Sequence, residues 1–198
     1  MFDLLHYEDF PEGLVKNALL PQPVVTPTTK GGPTGHDERL TPSEVVSKGY
    51  LDSGTWEAVM AAALALFERG REISSKAGLM LVDTKYEFGR APDGRVLLID
   101  EVHTPDSSRF WRRGSYAKRL SVGLEPELLD KEFVRLAFAE RGYRGDGEIP
   151  RLPASVWEET GRLYREVYEA LTGLPFQPAP EPAGPRLEAN LRKAGILP

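Results

Sequence analysis

Apolar residues recur at helical spacing in three stretches of the chain, which predicts three helices. The longest stretch covers residues 55–76 and stops before Gly78, a residue type that often follows a helix C-terminus. The apolar positions of this stretch are Trp56, Val59, Met60, Ala63, Leu64, Phe67 and Ile73. The other two stretches cover residues 130–142, which begin with Asp130 as a predicted N-cap, and residues 155–173. The longest helix is expected to pack behind a β-hairpin.

Between the first and second helical stretches the pattern changes to a period of two. Asp83, Lys85 and Glu87 occupy every second position, so on a single strand all three would point to one face. Residues 92–94, Pro-Asp-Gly, are typical of a turn, and residues 96–99 form a second apolar run. The pattern predicts a β-hairpin, and the fold class is therefore α+β, with an antiparallel sheet packed by helices.

The register of this hairpin decides which side chains meet across it. If Asp93 and Gly94 form a two-residue loop, Glu87 lies directly opposite Asp100 on the same face. Facing carboxylates destabilise a sheet, so a hard divalent cation such as magnesium is predicted between them. A one-residue bulge at Gly94 would separate the two carboxylates. The alternative to a metal site is a solvated strand face whose charges are neutralised by Lys85.

The segment after the second strand, His-Thr-Pro-Asp-Ser-Ser-Arg at residues 103–109, has the composition of a polar, anion-binding loop. The hydroxyls of Ser107 and Ser108 and the guanidinium of Arg109 are donors for a phosphate or a carboxylate. Asp106 can accept hydrogen bonds from sugar hydroxyls or from an amine.

Composition limits the classes of function. The chain has 198 residues, enough for one domain with a core, and a net charge of −5 that argues against nucleic acid or an anionic membrane as the main partner. It has no cysteine, which excludes disulfides, thiolate metal sites and cysteine nucleophiles. A basic cluster is the exception to the acidic balance, and it fits either phosphate binding or a solvated face; it consists of Arg109, Arg112, Arg113, Lys118 and Arg119. Neither a secretory leader nor a membrane span is predicted, and the cytoplasm is the expected location.

Two sequence blocks carry a resemblance to a known family. VDTKYEFG at residues 82–89 and LIDEVHTPDSSRFW at residues 98–111 resemble the signature of the phosphoribosylaminoimidazole-succinocarboxamide synthase (SAICAR synthetase) family. LPQPVVTPTTK at residues 20–30, GHDE at residues 35–38 and LDKEFVR at residues 129–135 are also similar to segments of that family. The resemblance implies an ATP-dependent ligase of purine biosynthesis that joins L-aspartate to carboxyaminoimidazole ribotide.

The resemblance also implies roles for individual residues. Glu87 and Asp100 would hold magnesium against the phosphates of ATP. Contacts to substrate are implied for His36, Asp37, Asp83, Lys85, Asp106, Ser108 and Arg109. Lys85 and Asp100 would act in catalysis, Lys85 by stabilising developing negative charge. The implied cofactors are ATP and magnesium, and no residue is needed as a covalent nucleophile.

Members of this family begin with an N-terminal lobe that carries a glycine-containing nucleotide motif, and this sequence lacks its counterpart. We therefore expect a C-terminal lobe at residues 1–175, followed by a proline-rich linker and a short terminal helix at residues 176–198. A separate chain supplying the lobe, a misplaced start codon and a decayed remnant are three open explanations. Two other functions stay open, a non-catalytic ribotide-binding remnant and a generic magnesium-dependent phosphotransferase. The coding sequence upstream would separate the ligase from the remnant.

Overall fold

The computed structural model describes residues 13–31 and 37–198, which form an α+β fold as the pattern predicts. His36 lies outside the described residues. The strands are β1 (Leu79–Thr84), β2 (Glu87–Arg90), β3 (Val96–Ile99) and β4 (Ser108–Arg112). The helices are α1 (Pro42–Ser47), α2 (Ser53–Lys76), α3 (Arg113–Ser121), α4 (Glu132–Ala139), α5 (Ala154–Thr172) and α6 (Ala183–Lys193). No helix in these two described ranges is long and apolar enough to cross a lipid bilayer.

The predicted single strand through the acidic row is two strands. In the described chain, β1 pairs antiparallel with β4, and β2 pairs antiparallel with β3, which gives two small sheets. The strands change partner at Lys85 and Tyr86, because residues 100–107 leave the sheet between β3 and β4. The Lys85 backbone N–H still donates to the carbonyl oxygen of Ser107 at 3.0 Å. Asp83 and Glu87 therefore belong to different sheets, although one continuous run of chain carries both.

The predicted two-residue hairpin loop is wrong. The loop contains residues 92–94, and Gly94 has a φ of 87°, so the turn is one residue longer than the two-residue form. As a result Glu87 lies opposite Ile99, and the predicted pairing of Glu87 with Asp100 is off by one position. A glycine in the left-handed region allows this bulge because it has no Cβ to clash with the backbone.

The core lies between the β1–β4 sheet and helix α5. Its buried residues are Leu79, Leu81, Phe110, Leu129, Leu163 and Val167, with Phe67 of α2 packed against them. A second, smaller cluster joins Leu40 and Val45 to Trp56 of α2 and thereby fixes the start of the long helix. Leu64, which the apolar spacing predicts to be in the core, is 39% exposed.

Helix bounds largely follow the predictions. α2 begins at Ser53, capped by the carboxylate of Asp52, and Gly78 follows its end with a φ of 75°. α4 ends at Ala139, shorter than predicted, while Gly173 ends α5 in the left-handed conformation. α6, from Ala183 to Lys193, lies within the predicted tail of residues 176–198.

Gly70 of α2 is a close-packed position, and we expect its replacement by alanine to destabilise the protein. An added Cβ would lie 2.3 Å from His103 Cε1 and 2.7 Å from Leu81 Cδ2, so the neighbours must move. Overpacking of this kind costs about 1 to 3 kcal/mol, more than the roughly 1 kcal/mol that alanine gains over glycine in a helix. The measurement is the free energy of unfolding by urea.

Gly161→Ala in α5 is the matched control. Its added Cβ would meet only the end of the Arg165 side chain, at 3.7 Å, so the helix gain is expected to appear as a stabilisation of up to about 1 kcal/mol. Equal effects at Gly70 and Gly161 would show that the contact with His103 is not tight.

Candidate functional site

The first of two charged clusters surrounds Glu87 and is called the Glu87 cluster; its members are Lys30, Asp37, Lys85 and Glu87. Glu87 has only 13% of its side chain exposed and pairs through one oxygen with Lys30 and through the other with Lys85, at 3.2 Å. Lys85 Nζ also lies 3.3 Å from Asp37 Oδ2. Of the predicted site residues, the structure thus brings Asp37, Lys85 and Glu87 together.

The loop that carries Lys30 and Asp37 is held by backbone pairing. Thr28 and Arg39 form an antiparallel bridge, and the Thr29 N–H donates to the carbonyl oxygen of Glu38 at 2.8 Å. The Gly31 N–H donates to Asp37 Oδ1 at 3.0 Å, which orients that carboxylate toward Lys85. The Pro- and Thr-rich loop is therefore placed beside β2 by specific hydrogen bonds rather than by an apolar face.

The opposite charges of the Glu87 cluster hold each other ionised. Hydrogen bonds from Lys30 and then Lys85 lower the pKa of Glu87 below its ordinary value, and the Glu87 carboxylate raises the pKa of Lys85. The Gly31 N–H, followed by Lys85, lowers the pKa of Asp37. Glu87 is consequently an anion at neutral pH, as a metal ligand or an ammonium partner must be.

Asp100 follows β3 directly and takes an uncommon backbone conformation. Its φ is 67°, in the left-handed region that aspartate and asparagine tolerate better than most residues. The side chain is exposed, and it comes one position after Ile99, the residue opposite Glu87. Side chains alternate between the two faces along a regular strand, but this alternation does not extend to a residue with a left-handed backbone. The strand register therefore does not define whether Asp100 lies on the same face as Glu87.

Magnesium takes oxygen ligands, and carboxylates are the charged oxygen ligands near Glu87 and Asp100. Within residues 13–31 and 37–198, no group of three or more acidic or histidine side chains is placed to hold a metal ion. Each oxygen of the Glu87 carboxylate nevertheless pairs with one ammonium group, from Lys30 and from Lys85. Glu87 therefore binds positive charge in this structure. Magnesium accepts one or two carboxylates completed by phosphate oxygens, and Glu87 supplies one carboxylate of such a set.

The second charged cluster, called the Arg109 cluster, consists of Asp83, Arg109, Glu132 and Arg135. Arg109 Nη1 lies 2.6 Å from Asp83 Oδ2, and Nη2 lies 3.5 Å from Glu132 Oε2. Arg135 approaches Glu132 at the same distance of 3.5 Å. Partial burial raises the pKa of Asp83, and the neighbouring Arg109 opposes that shift. The structure therefore unites two predicted residues, Asp83 and Arg109, with two from α4.

Asp130 connects the Arg109 cluster to the core. Only 2% of the residue is exposed, and its carboxylate accepts hydrogen bonds from the backbone N–H groups of Phe110 and Glu132, each at 2.8 Å. Burial raises its pKa to about 6 against the effect of these two donors. The carboxylate fixes β4, which carries Arg109, against the start of α4, which carries Glu132 and Arg135.

The predicted anion-binding loop is partly strand. Ser108 begins β4 and is buried, and its hydroxyl hydrogen-bonds with those of Thr84 at 2.8 Å and Ser107 at 3.3 Å. Asp106 remains exposed and lies 3.6 Å from the ammonium of Lys131. The hydroxyls of this segment thus take part in internal hydrogen bonds, while Asp106 faces a cation of the neighbouring segment.

Most of the basic cluster has structural partners. Arg112 pairs with Glu127 at 2.9 Å and Glu166 at 2.6 Å, which ties β4 to α5. Arg113 bonds to Ser75 at the end of α2. These contacts favour the structural interpretation of Arg112 and Arg113 over phosphate binding.

Sequence reasoning missed several charged residues around the two clusters. They are Lys30, Asp130, Lys131, Glu132 and Arg135. A signal was present, because all five lie in the segments TPTTK and LDKEFVR that resemble the family, yet no role followed from residue type alone. Arginine, lysine and acidic side chains at helical spacing have the pattern of an ordinary solvated face.

Comparisons with known proteins agree with the resemblance. The family model described as SAICAR synthetase matches residues 4–151. A phosphoribosylaminoimidazole-succinocarboxamide synthase from Legionella pneumophila is 43% identical over 188 residues, covering 93% of this chain and 59% of the relative. The chain spans about half the length of the relatives it matches.

Solved structures of the same family have a similar fold. The SAICAR synthase from Saccharomyces cerevisiae complexed with SAICAR superposes with a TM-score of 0.70 at 30% identity, covering 85% of this chain and 52% of that one. A type 2 SAICAR synthetase in complex with ADP gives a TM-score of 0.61 at 26% identity, covering 83% of this chain and 57% of that one.

Proposed function

This chain belongs to the SAICAR synthetase family, and we propose that it forms one wall of an active site that joins L-aspartate to carboxyaminoimidazole ribotide at the expense of ATP. The observation that carries the proposal is that one run of chain, from Asp83 to Glu87, joins two clusters of opposite charge preference. Glu87 attracts cations, whereas Arg109, paired across the sheet with Asp83, is suited to anions. Lys85 lies between Asp83 and Glu87 in the chain and contributes to the first cluster.

The reaction requires groups of both kinds. A carboxylate becomes a good acceptor for an amine when a phosphoryl group is transferred to it, and such transfer depends on positioning and on charge neutralisation. Magnesium, held by Glu87 and Asp100, would supply that neutralisation at the phosphates of ATP. Lys85 would stabilise negative charge that develops during the transfer. The contacts to the ribotide would come from Asp83, Asp106 and Arg109, and the hydroxyl of Ser108 would hold β4 beside β1 through its hydrogen bond with Thr84.

Two features of the relatives support this assignment. One solved relative is complexed with SAICAR and another with ADP, and both molecules are products of the proposed reaction. The chain spans about half the length of its relatives, and we propose that a nucleotide lobe outside these 198 residues completes the site. His36 and Asp37 would help to close the site over substrate. The proposal keeps the cytoplasmic location expected from the sequence.

Reconstitution tests the proposal. The purified chain is mixed with a polypeptide comprising the part of the Legionella pneumophila relative that this chain does not match, and SAICAR is measured after addition of ribotide, aspartate, magnesium and ATP. We expect product from the mixture and none from either component alone, because each supplies only one wall of the ATP site.

The control is the same mixture without aspartate, from which no SAICAR should form. SAICAR formed by the 198-residue chain alone would contradict the one-wall arrangement. A mixture that binds stably but makes no product would contradict the ligase proposal and favour a non-catalytic ribotide-binding protein.

A further inference from the structure

Strand β4, which carries Arg109, is held on both of its edges at the next residue, Phe110. On one edge β4 pairs with β1, where Leu81 lies opposite Phe110. On the other edge the Leu129 N–H donates to the carbonyl oxygen of Phe110 at 2.9 Å, and the Phe110 N–H donates to Asp130 Oδ2 at 2.8 Å. The Asp130 carboxylate thus takes the place that a backbone carbonyl would have in a further strand.

The same carboxylate holds the start of α4. Its other oxygen, Oδ1, accepts from the N–H of Glu132, the first residue of the helix, at 2.8 Å. The Glu132 side chain reaches back to Arg109, whose guanidinium also pairs with Asp83 of β1. One buried carboxylate therefore sets the spacing between the strand that carries Arg109 and the helix that shares its guanidinium.

We propose that Asp130 is a positioning residue for ribotide binding, and that it acts by holding Arg109 in place through two backbone amides. This inference rests on the proposed function in one respect, the role of Arg109 as a ribotide contact. Asp130 is 2% exposed and both of its oxygens accept from the backbone, so it acts through Arg109 and does not touch the ligand.

The sign of the effect separates positioning from charge. Burial raises the pKa of Asp130 only to about 6, so the carboxylate is ionised at about pH 8. A negative charge beside Arg109 opposes the binding of an anion, so removal of that charge alone would strengthen ribotide binding. Loss of the position of Arg109 would weaken it, and we expect the weakening to dominate.

The test is a titration of SAICAR into the full, isotope-labelled chain at about pH 8, with the Kd read from the NMR shifts of backbone amides. SAICAR is the probe because a solved relative is complexed with it. Asp130→Asn keeps the size of the side chain but turns an N–H donor toward one of the two amides. We expect its Kd to rise about ten- to hundredfold, the usual loss when a hydrogen bond to a charged group is broken.

Asp52→Asn is the matched control. Asp52 also accepts a backbone N–H at the start of a helix, from Thr55 at 2.8 Å, but that helix is α2. Its Kd should equal that of the wild type. Val45→Ala removes packing from the smaller core cluster and should likewise leave the Kd unchanged, which separates the effect of Asp130 from a general loss of stability.

A double-mutant cycle tests the route through Arg109. Arg109→Gln removes the guanidinium that Asp130 positions, so Asp130→Asn added to it should change the Kd by less than about twofold. Asp130→Ser is the second variant, because serine keeps one acceptor at the start of α4, and it should also raise the Kd.

Each outcome decides the inference. A Kd in Asp130→Asn equal to or below the wild-type value overturns it, as does a wild-type chain that does not bind SAICAR. Additive effects of Asp130→Asn and Arg109→Gln overturn it as well, because Asp130 would then act independently of Arg109. Thermal melting checks folding, and failure of both Asp130 variants to fold would overturn the inference by showing that the carboxylate serves the whole fold.

The same data keep this inference separate from the proposed function. Weaker SAICAR binding in Asp130→Asn together with failure of the reconstituted ligase would support the role of Asp130 while contradicting the ligase. An active reconstituted ligase together with unchanged binding in Asp130→Asn would contradict the role of Asp130 alone.

Discussion

Asp100→Asn is expected to lower the turnover of the reconstituted enzyme by about two to three orders of magnitude, the usual cost of removing one electrostatic contact to the transition state. Asparagine keeps the size of the side chain but removes the charge that a magnesium ion needs. It also tolerates the left-handed backbone at this position, where φ is 67°, so the fold should be spared. The measurements are the rate of SAICAR formation and the free energy of unfolding, which should change by less than about 0.5 kcal/mol.

Asp93→Asn provides the control for this substitution. Asp93 is an exposed turn residue whose carboxylate pairs with Arg95 at 2.8 Å. It lies at the turn that precedes β3, whereas Asp100 follows the other end of β3. Its replacement should leave turnover close to that of the wild type. Near-normal turnover in Asp100→Asn would mean that the acid is part of a solvated sheet end and has no catalytic role.

Leu163→Ala is expected to destabilise the protein by about 2 to 5 kcal/mol, the largest stability effect that we predict. Leu163 is 4% exposed and belongs to the core between α5 and the β1–β4 sheet. Truncation leaves a cavity that the close-packed neighbours fill only in part. The measurement is the free energy of unfolding by urea.

Leu64→Ala is the matched substitution on α2. Because Leu64 is 39% exposed, the same truncation removes little buried surface there, and we expect a loss below about 1 kcal/mol. A similar loss at both positions would show that the core does not lie between α5 and the sheet.

The long helices could be predicted from the sequence because their signals are local. Apolar spacing together with Gly78 and Gly173 gave α2 and α5 to within a few residues. Helix α3 was not predicted, because Tyr116 is its single buried residue in the described structure and Arg112, at its N-cap, makes no side-chain capping bond. A helix formed mainly through its position after β4 leaves little pattern in the sequence.

The site was predicted in part, since residue types are visible in the sequence but contacts are not. Asp83 and Arg109, for which the family resemblance implies contacts with the ribotide, form an ion pair with each other. The hairpin register depended on one glycine, and a bulge at Gly94 was enough to place Ile99 opposite Glu87. The contact between Lys30 and Glu87 joins residues 57 positions apart, and no local periodicity reports such a pair.

The most direct test of the central claim is the stoichiometry of the reconstituted reaction. The claim is that the two charged clusters serve a ligase that couples ATP to amide formation. We predict that phosphate release requires both ribotide and aspartate, and that one SAICAR forms for each phosphate released. ATP consumption that proceeds without aspartate and transfers phosphate to a hydroxyl acceptor would contradict the claim and identify a phosphotransferase instead.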